Sequence, residues 1–193
     1  MNLKYERIAP AEIFIDEREL WARLGGIGAV DDEKIKEVVA EISSVATPVY
    51  VGRELSVMVN NGACISAAGL TVASADFARI ASGCRWILLL GVTLGIEVDR
   101  LIRKRCALSV SDGFIYDAVA SAMAEGLMNL AEVRTTLGKE HTGRFSPGYG
   151  DMPLEIQGEI ISLLEGRKML GLALGDGGVM SPAKSITALM GIR

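Results

Sequence analysis

The chain has 193 residues, half of them apolar, with a formal charge of −4, 22 glycines and few aromatics. That length suits one domain able to withdraw roughly 70% of its unfolded surface from water. The mild negative charge excludes a general attraction to nucleic acid or to an anionic membrane. The longest apolar run, Trp86 to Val92, is far shorter than the ~20 residues of a membrane span. The opening stretch, Met1 to Glu17, has no apolar signal-peptide core, so a cytoplasmic protein is expected. Cys64, Cys84 and Cys106 form no CxxC-type pair, which excludes a zinc knuckle or an iron–sulfur run. Set among small and apolar neighbours, all three read as reduced, buried thiols.

In chain order, Pro10 is expected to open a helix running to Leu24, ended by Gly25 and Gly26. Asp31 and Asp32 favour a second helix start, followed by an apolar stripe of Ile35, Val38, Val39, Ile42 and Val45 at helical spacing. Val57–Val59 and Ala63–Ile65 flank Asn60-Asn61-Gly62, a hairpin pattern. Ser74 can cap a short helix carrying Phe77 and Ile80, which Gly83 ends. Trp86 to Leu90 reads as a buried strand. Leu90-Gly91-Val92-Thr93-Leu94-Gly95 then leads into a helix with Ile96, Leu101 and Ile102. Its glycines are wrongly spaced for a dinucleotide fingerprint and no Lys-Ser/Thr follows, so a Thr93 N-cap explains it better than a phosphate site. Arg100, Arg103, Lys104 and Arg105 read as a solvated helix face.

A longer helix is expected from about Asp112 to Leu137, with an unusually small middle: Ala118, Ala120, Ala122, Ala124 and Gly126. His141 to Met152 is rich in Gly and Pro, and Pro153 opens a helix with Leu154, Ile160, Ile161 and Leu164. Strands at roughly Met169–Leu174 and Ser185–Ile192, joined by Gly175-Asp176-Gly177-Gly178, close the chain. This mixed order favours an α+β fold over a doubly wound sheet.

The chemistry is concentrated in Arg144-Phe145-Ser146-Pro147-Gly148-Tyr149-Gly150-Asp151-Met152-Pro153. Pro147 fixes one backbone angle, while Gly148 and Gly150 permit turns and close approaches that a Cβ would prevent. Arg144 offers a fork of donors to a carboxylate, and Tyr149 a flat face with a hydroxyl. On composition alone, a plain turn-making loop competes with a binding loop. The lone His141 just ahead of it is a weak site signal.

The segment RFSPGYGDMP resembles the RxxPGY loop in the activation domain of cobalamin-dependent methionine synthase. MSPAKSITALMGI resembles the Pro-x-x-Ser-hydrophobic-Ser/Thr strand that follows it there, and AMAEGLMNLAE resembles the helix bearing a ligand-contacting Glu. Together they cover about residues 84–192, with residues 1–83 as a helical and hairpin portion of the same single domain. The resemblance implies a C-shaped α+β domain with a twisted antiparallel sheet flanked by helices. It implies a shallow S-adenosylmethionine site in which the loop Arg is Arg144, the backbone position Ser146 with Pro147 and Gly148, the Tyr Tyr149, and the helix Glu Glu125.

In that family, S-adenosylmethionine methylates a cobalamin that flavodoxin or an equivalent donor has reduced. No Asp-x-His-x-x-Gly corrinoid motif occurs in this chain. Cobalamin is therefore expected on a partner, a methionine synthase or another corrinoid protein. An activator of a different corrinoid methyltransferase and a scaffold that keeps only the fold are the alternatives. The family chain continues past the counterpart of Arg193 with a further site Tyr, and its N-terminal Asp has no clear match here, so a site that is incomplete, looser or tuned to a different ligand is expected.

Overall fold

The computed structural model describes residues 3–60, 64–67 and 69–193. Its organising element is β5 (Trp86–Thr93), whose residues from Ile87 onward are buried on both faces. An apolar run without alternation is what a strand covered by helices on both sides requires. β5 pairs antiparallel with the long β2 (Val49–Asn60) on one side and with β8 (Ser185–Ile192) on the other. β1 (Lys4–Arg7), β3 (Cys64–Ala67) and β4 (Leu70–Ala73) complete a six-stranded sheet in the order β4-β3-β2-β5-β8, with β1 against β2. β2 and β3 pair as the hairpin pattern predicts, Asn60 facing Cys64; its Asn61, Gly62 and Ala63 lie outside the described residues.

The alternation of β2, β5 and β8 divides the apolar side chains between two cores. Tyr50, Leu88, Leu90, Val92, Ala188 and Met190 face one core. It is closed by α1 (Glu17–Leu24), α2 (Asp32–Val45), α4 (Ile96–Leu108) and α5 (Val110–Thr136). Val51, Leu55, Ile87, Leu89 and Leu189 face the other, closed by α3 (Ala75–Ile80), α6 (Gln157–Leu163) and α7 (Gly166–Met169). α5 explains its own small residues. It lies across the sheet and packs against α1, α2 and α4, so its middle is buried nearly all round. A Cβ on Gly126 would fall 2.2 Å from the Phe14 carbonyl oxygen.

Several expectations are corrected. Pro10 opens only a 3-10 turn, Pro10–Glu12, and α1 starts at Glu17. Asp16 captures the Arg18 and Glu19 amides as N-cap. The stretch before it alternates, Ile13 buried, Phe14 78% exposed and Ile15 packed inward, which is an extended rather than a helical pattern. Thr93 ends β5 instead of capping α4: the N-cap is Gly95, and Thr93 Oγ1 accepts its amide at 3.1 Å. Cys84 is buried but Cys106 is exposed on α4.

Arg105 is no solvated cation. It pairs with Glu41 of α2 and lies 5.2 Å over the Tyr116 ring of α5, tying three helices. The Tyr116 hydroxyl donates to Glu41, and burial with that bond pushes its pKa up to about 12. Near the C-terminus, Met169 ends α7, and the expected strand there shrinks to β6 (Ala173–Leu174), paired with β7 (Met180–Ser181).

Gly126→Ala forces the Phe14 main chain off α5. It is expected to destabilise the protein by about 1–3 kcal/mol, read as a lower denaturation midpoint in urea; an unchanged midpoint would mean that the 13–16 segment yields freely.

Candidate functional site

β8 has a free edge, and the chain returns along it. Residues 141–145 bridge to it at His141 opposite Ile192 and Phe145 opposite Leu189. Phe145 and Leu189 exchange both hydrogen bonds, at 2.9 and 2.8 Å, while the Thr142 hydroxyl accepts the Gly191 amide at 2.9 Å. Phe145 then turns its ring onto Phe77 of α3, 5.8 Å between centroids.

Beyond that anchor the loop makes a tight turn. The Tyr149 amide donates to the Ser146 carbonyl at 3.1 Å, with Pro147 and Gly148 between them and Gly148 at φ +84°. Pro followed by a left-handed Gly is the signature of a type II turn. Met152 is buried in the second core. Asp151 grips the start of α3: its carboxylate accepts from the Ser74 hydroxyl and from the Ala75 amide at 2.7 Å. These bonds hold the Asp151 carboxyl below its ordinary pKa, the Ser74 hydroxyl being the largest cause.

The loop, β8, the start of α6 and one face of α5 enclose an open groove of about 390 Å³, within the range that takes a small organic ligand. Of the residues singled out by sequence, Glu125, Arg144, Ser146, Pro147 and Tyr149 line it together. Gly148 does not line it; it makes the turn behind them. Tyr149 stands 70% exposed at the rim.

Arg144 lies along α5. Its Nη2 donates to Asn129 Oδ1 at 2.8 Å, its Nε is 3.2 Å from Glu132 Oε2, and Glu125 is farther, at 3.9 Å. Nη1 is buried without a partner. The groove wall therefore carries a guanidinium engaged by Glu132 and Asn129, and a carboxylate, Glu125, not locked to it. His141 is off the lining, its Nδ1 3.9 Å from Glu132.

Sequence reasoning missed most of the floor. Ser185 and Thr187 line it from β8; their Pro-x-x-Ser-x-Thr pattern was the signal, but it pointed to a strand and not to a wall. Gln157 was missed outright. It is buried, and its amide meets the Thr187 hydroxyl at 2.7 Å. A polar residue inside an apolar helix stripe is the only trace that the sequence carries of it. Among the described residues no group of three or more His, Cys, Asp or Glu is placed to hold a metal ion, and no helix is long and apolar enough to cross a membrane.

Against known proteins, no family model matches the chain and no curated protein matches its sequence. Among solved structures it is similar to a crystal structure of the MetH reactivation domain bound to AdoHcy. The TM-score is 0.78 over 99% of this chain and 78% of that one, at 14% identity. At that identity the likeness is one of fold. The chain has the α+β fold of the methionine synthase reactivation domain, an antiparallel sheet flanked by helices, as the motif resemblance implied.

The grip of Asp151 on α3 is testable by pH. Its folded pKa lies below the unfolded value of about 3.9, so its contribution is complete above that value and is lost as pH falls through the lower, folded one. Asp151→Asn is expected to melt below wild type at neutral pH, with the gap closing in acid. A gap that persists in acid would show that the charge is irrelevant.

Proposed function

We propose that this protein binds S-adenosylmethionine in the groove between α5 and the 144–149 loop and supports methylation of a reduced cobalamin carried by a partner protein. The observation that carries the reading is the convergence of Glu125, Arg144, Ser146 and Tyr149 on one groove, on a fold whose solved neighbour holds AdoHcy.

The residues suit that ligand. Arg144 brings its guanidinium to the groove wall for a carboxylate, and a charged hydrogen bond made in a half-buried place is stronger than one in water. Glu125 is a half-exposed carboxylate for the ammonium. The Ser146–Pro147 main chain and the Ser185 and Thr187 hydroxyls line the groove with neutral polar groups for an adenosine, and the Tyr149 ring adds a face beside the sulfonium or the sugar.

Bound there, the ligand supplies an activated methyl group on a positively charged sulfur. The chain's own task is positioning, which holds that group toward the open side where a partner's nucleophile arrives and limits the approach of water. No side chain in the groove has to move a proton for this. The partner is proposed to be a cobalamin-dependent methionine synthase, or another corrinoid methyltransferase, with flavodoxin or an equivalent donor supplying the electron.

Calorimetric titration of S-adenosylmethionine tests the reading. Arg144→Ala and Glu125→Gln are each expected to weaken binding roughly 10- to 100-fold, the value of one charged hydrogen bond at ~1.5–3 kcal/mol. Unchanged affinity in both would remove the assignment. No binding by wild type would favour a scaffold that keeps only the fold.

A further inference from the structure

Arg144 is held in the groove from several sides, and Glu125 is not what holds it. Its main chain is pinned beside β8 by the paired Phe145–Leu189 bonds, so what remains free is the long side chain. That side chain is gripped from α5 by Glu132 at Nε, 3.2 Å, and by Asn129 at Nη2, 2.8 Å. Glu125, Asn129 and Glu132 stand four and three residues apart, hence on one face of the helix. The guanidinium thus lies along a row of three acceptors, held at the Glu132 end. The other Glu132 oxygen is 3.9 Å from His141 Nδ1.

An arginine and a carboxylate in a half-buried groove are drawn into direct, two-pronged contact. Arg144 and Glu125 nevertheless stay 3.9 Å apart, because Glu132 and Asn129 hold Nε and Nη2. Arg144 is already paired with Glu132, and its closure onto Glu125 would spend that second carboxylate as well. Glu125 would then no longer serve a ligand that brings an ammonium. One guanidinium nitrogen stays unspent under this grip.

We propose that Glu132, assisted by Asn129, is a positioning residue that holds Arg144 off Glu125, so that the Glu125 carboxylate stays available to the ammonium of its ligand's zwitterionic amino-acid end. The identity of that ligand rests on the S-adenosylmethionine reading; the effect of Glu132 on Arg144 needs no ligand.

Glu132→Gln keeps the shape and removes the charge, and two readouts follow. In a crystal structure of the ligand-free variant, Arg144 is expected to close on Glu125, from 3.9 Å to about 2.8 Å. In titrations, the variant is expected to bind S-adenosylhomocysteine roughly tenfold more weakly, the scale of a charge-assisted contact. It should bind 5′-methylthioadenosine, which lacks the amino-acid end, as wild type does. Arg144 remaining apart from Glu125, equal losses for both ligands, or no loss for either overturns the proposal. A wild type that binds neither ligand overturns the S-adenosyl reading instead, and the position of Arg144 in the ligand-free variant still decides the role of Glu132.

Discussion

A β-strand at the rim of a sheet leaves a row of amides and carbonyls that must find partners. In this protein the free edge of β8 is taken by residues 141–145, which bridge to it at His141 and Phe145. That pairing sets the level at which Arg144 leaves the sheet and fixes where the turn through Pro147 and Gly148 begins. It also swings Phe145 onto Phe77, so the loop is anchored in the second core before it reaches Asp151 and the start of α3. A loop rich in Gly and Pro is thereby held at both ends, and its rim residues can present fixed chemistry from a short, irregular segment.

The same geometry brings two charged elements together without merging them. α5 lies across the sheet and turns the face of Glu125, Asn129 and Glu132 toward the loop. Arg144 meets this face at three residues, of which Glu132 and Asn129 are near and Glu125 is far. Elsewhere in the protein, acids and arginines close directly: Glu41 with Arg105, Glu6 and Glu12 with Arg134. Those pairs join helices and strands to each other. The separated pair lies in the groove, where Glu125 is left out of direct contact with Arg144.

Much of the fold was legible in the sequence because its signals are local. The stripe from Ile35 to Val45, the Ser74 cap and the unbroken Trp86–Leu90 run each specify their element from a few neighbouring residues. The failures are tertiary. Pro10 favours a helix, but Ile13 and Ile15 find their burial as an extended segment under α5, and Asp16 captures the amides of the true helix start. Arg105 reads as a solvated cation until α2 and α5 bring Glu41 and Tyr116 beside it. In the site, the loop and Glu125 were visible through motif resemblance. Gln157, Asn129 and Glu132 were not, because each acquires its role from a partner in another element, and spacing along one helix cannot show which neighbour will face it.

A groove between α5 and the loop is either a ligand site or a crease. A crystal structure with S-adenosylhomocysteine at saturating concentration tests this most directly. The ligand is expected to lie against Tyr149, with its amino-acid end between Arg144 and Glu125 and its adenosine along Ser146, Pro147 and the start of β8. Density for the ligand elsewhere on the protein, or an empty groove at saturation, would contradict it.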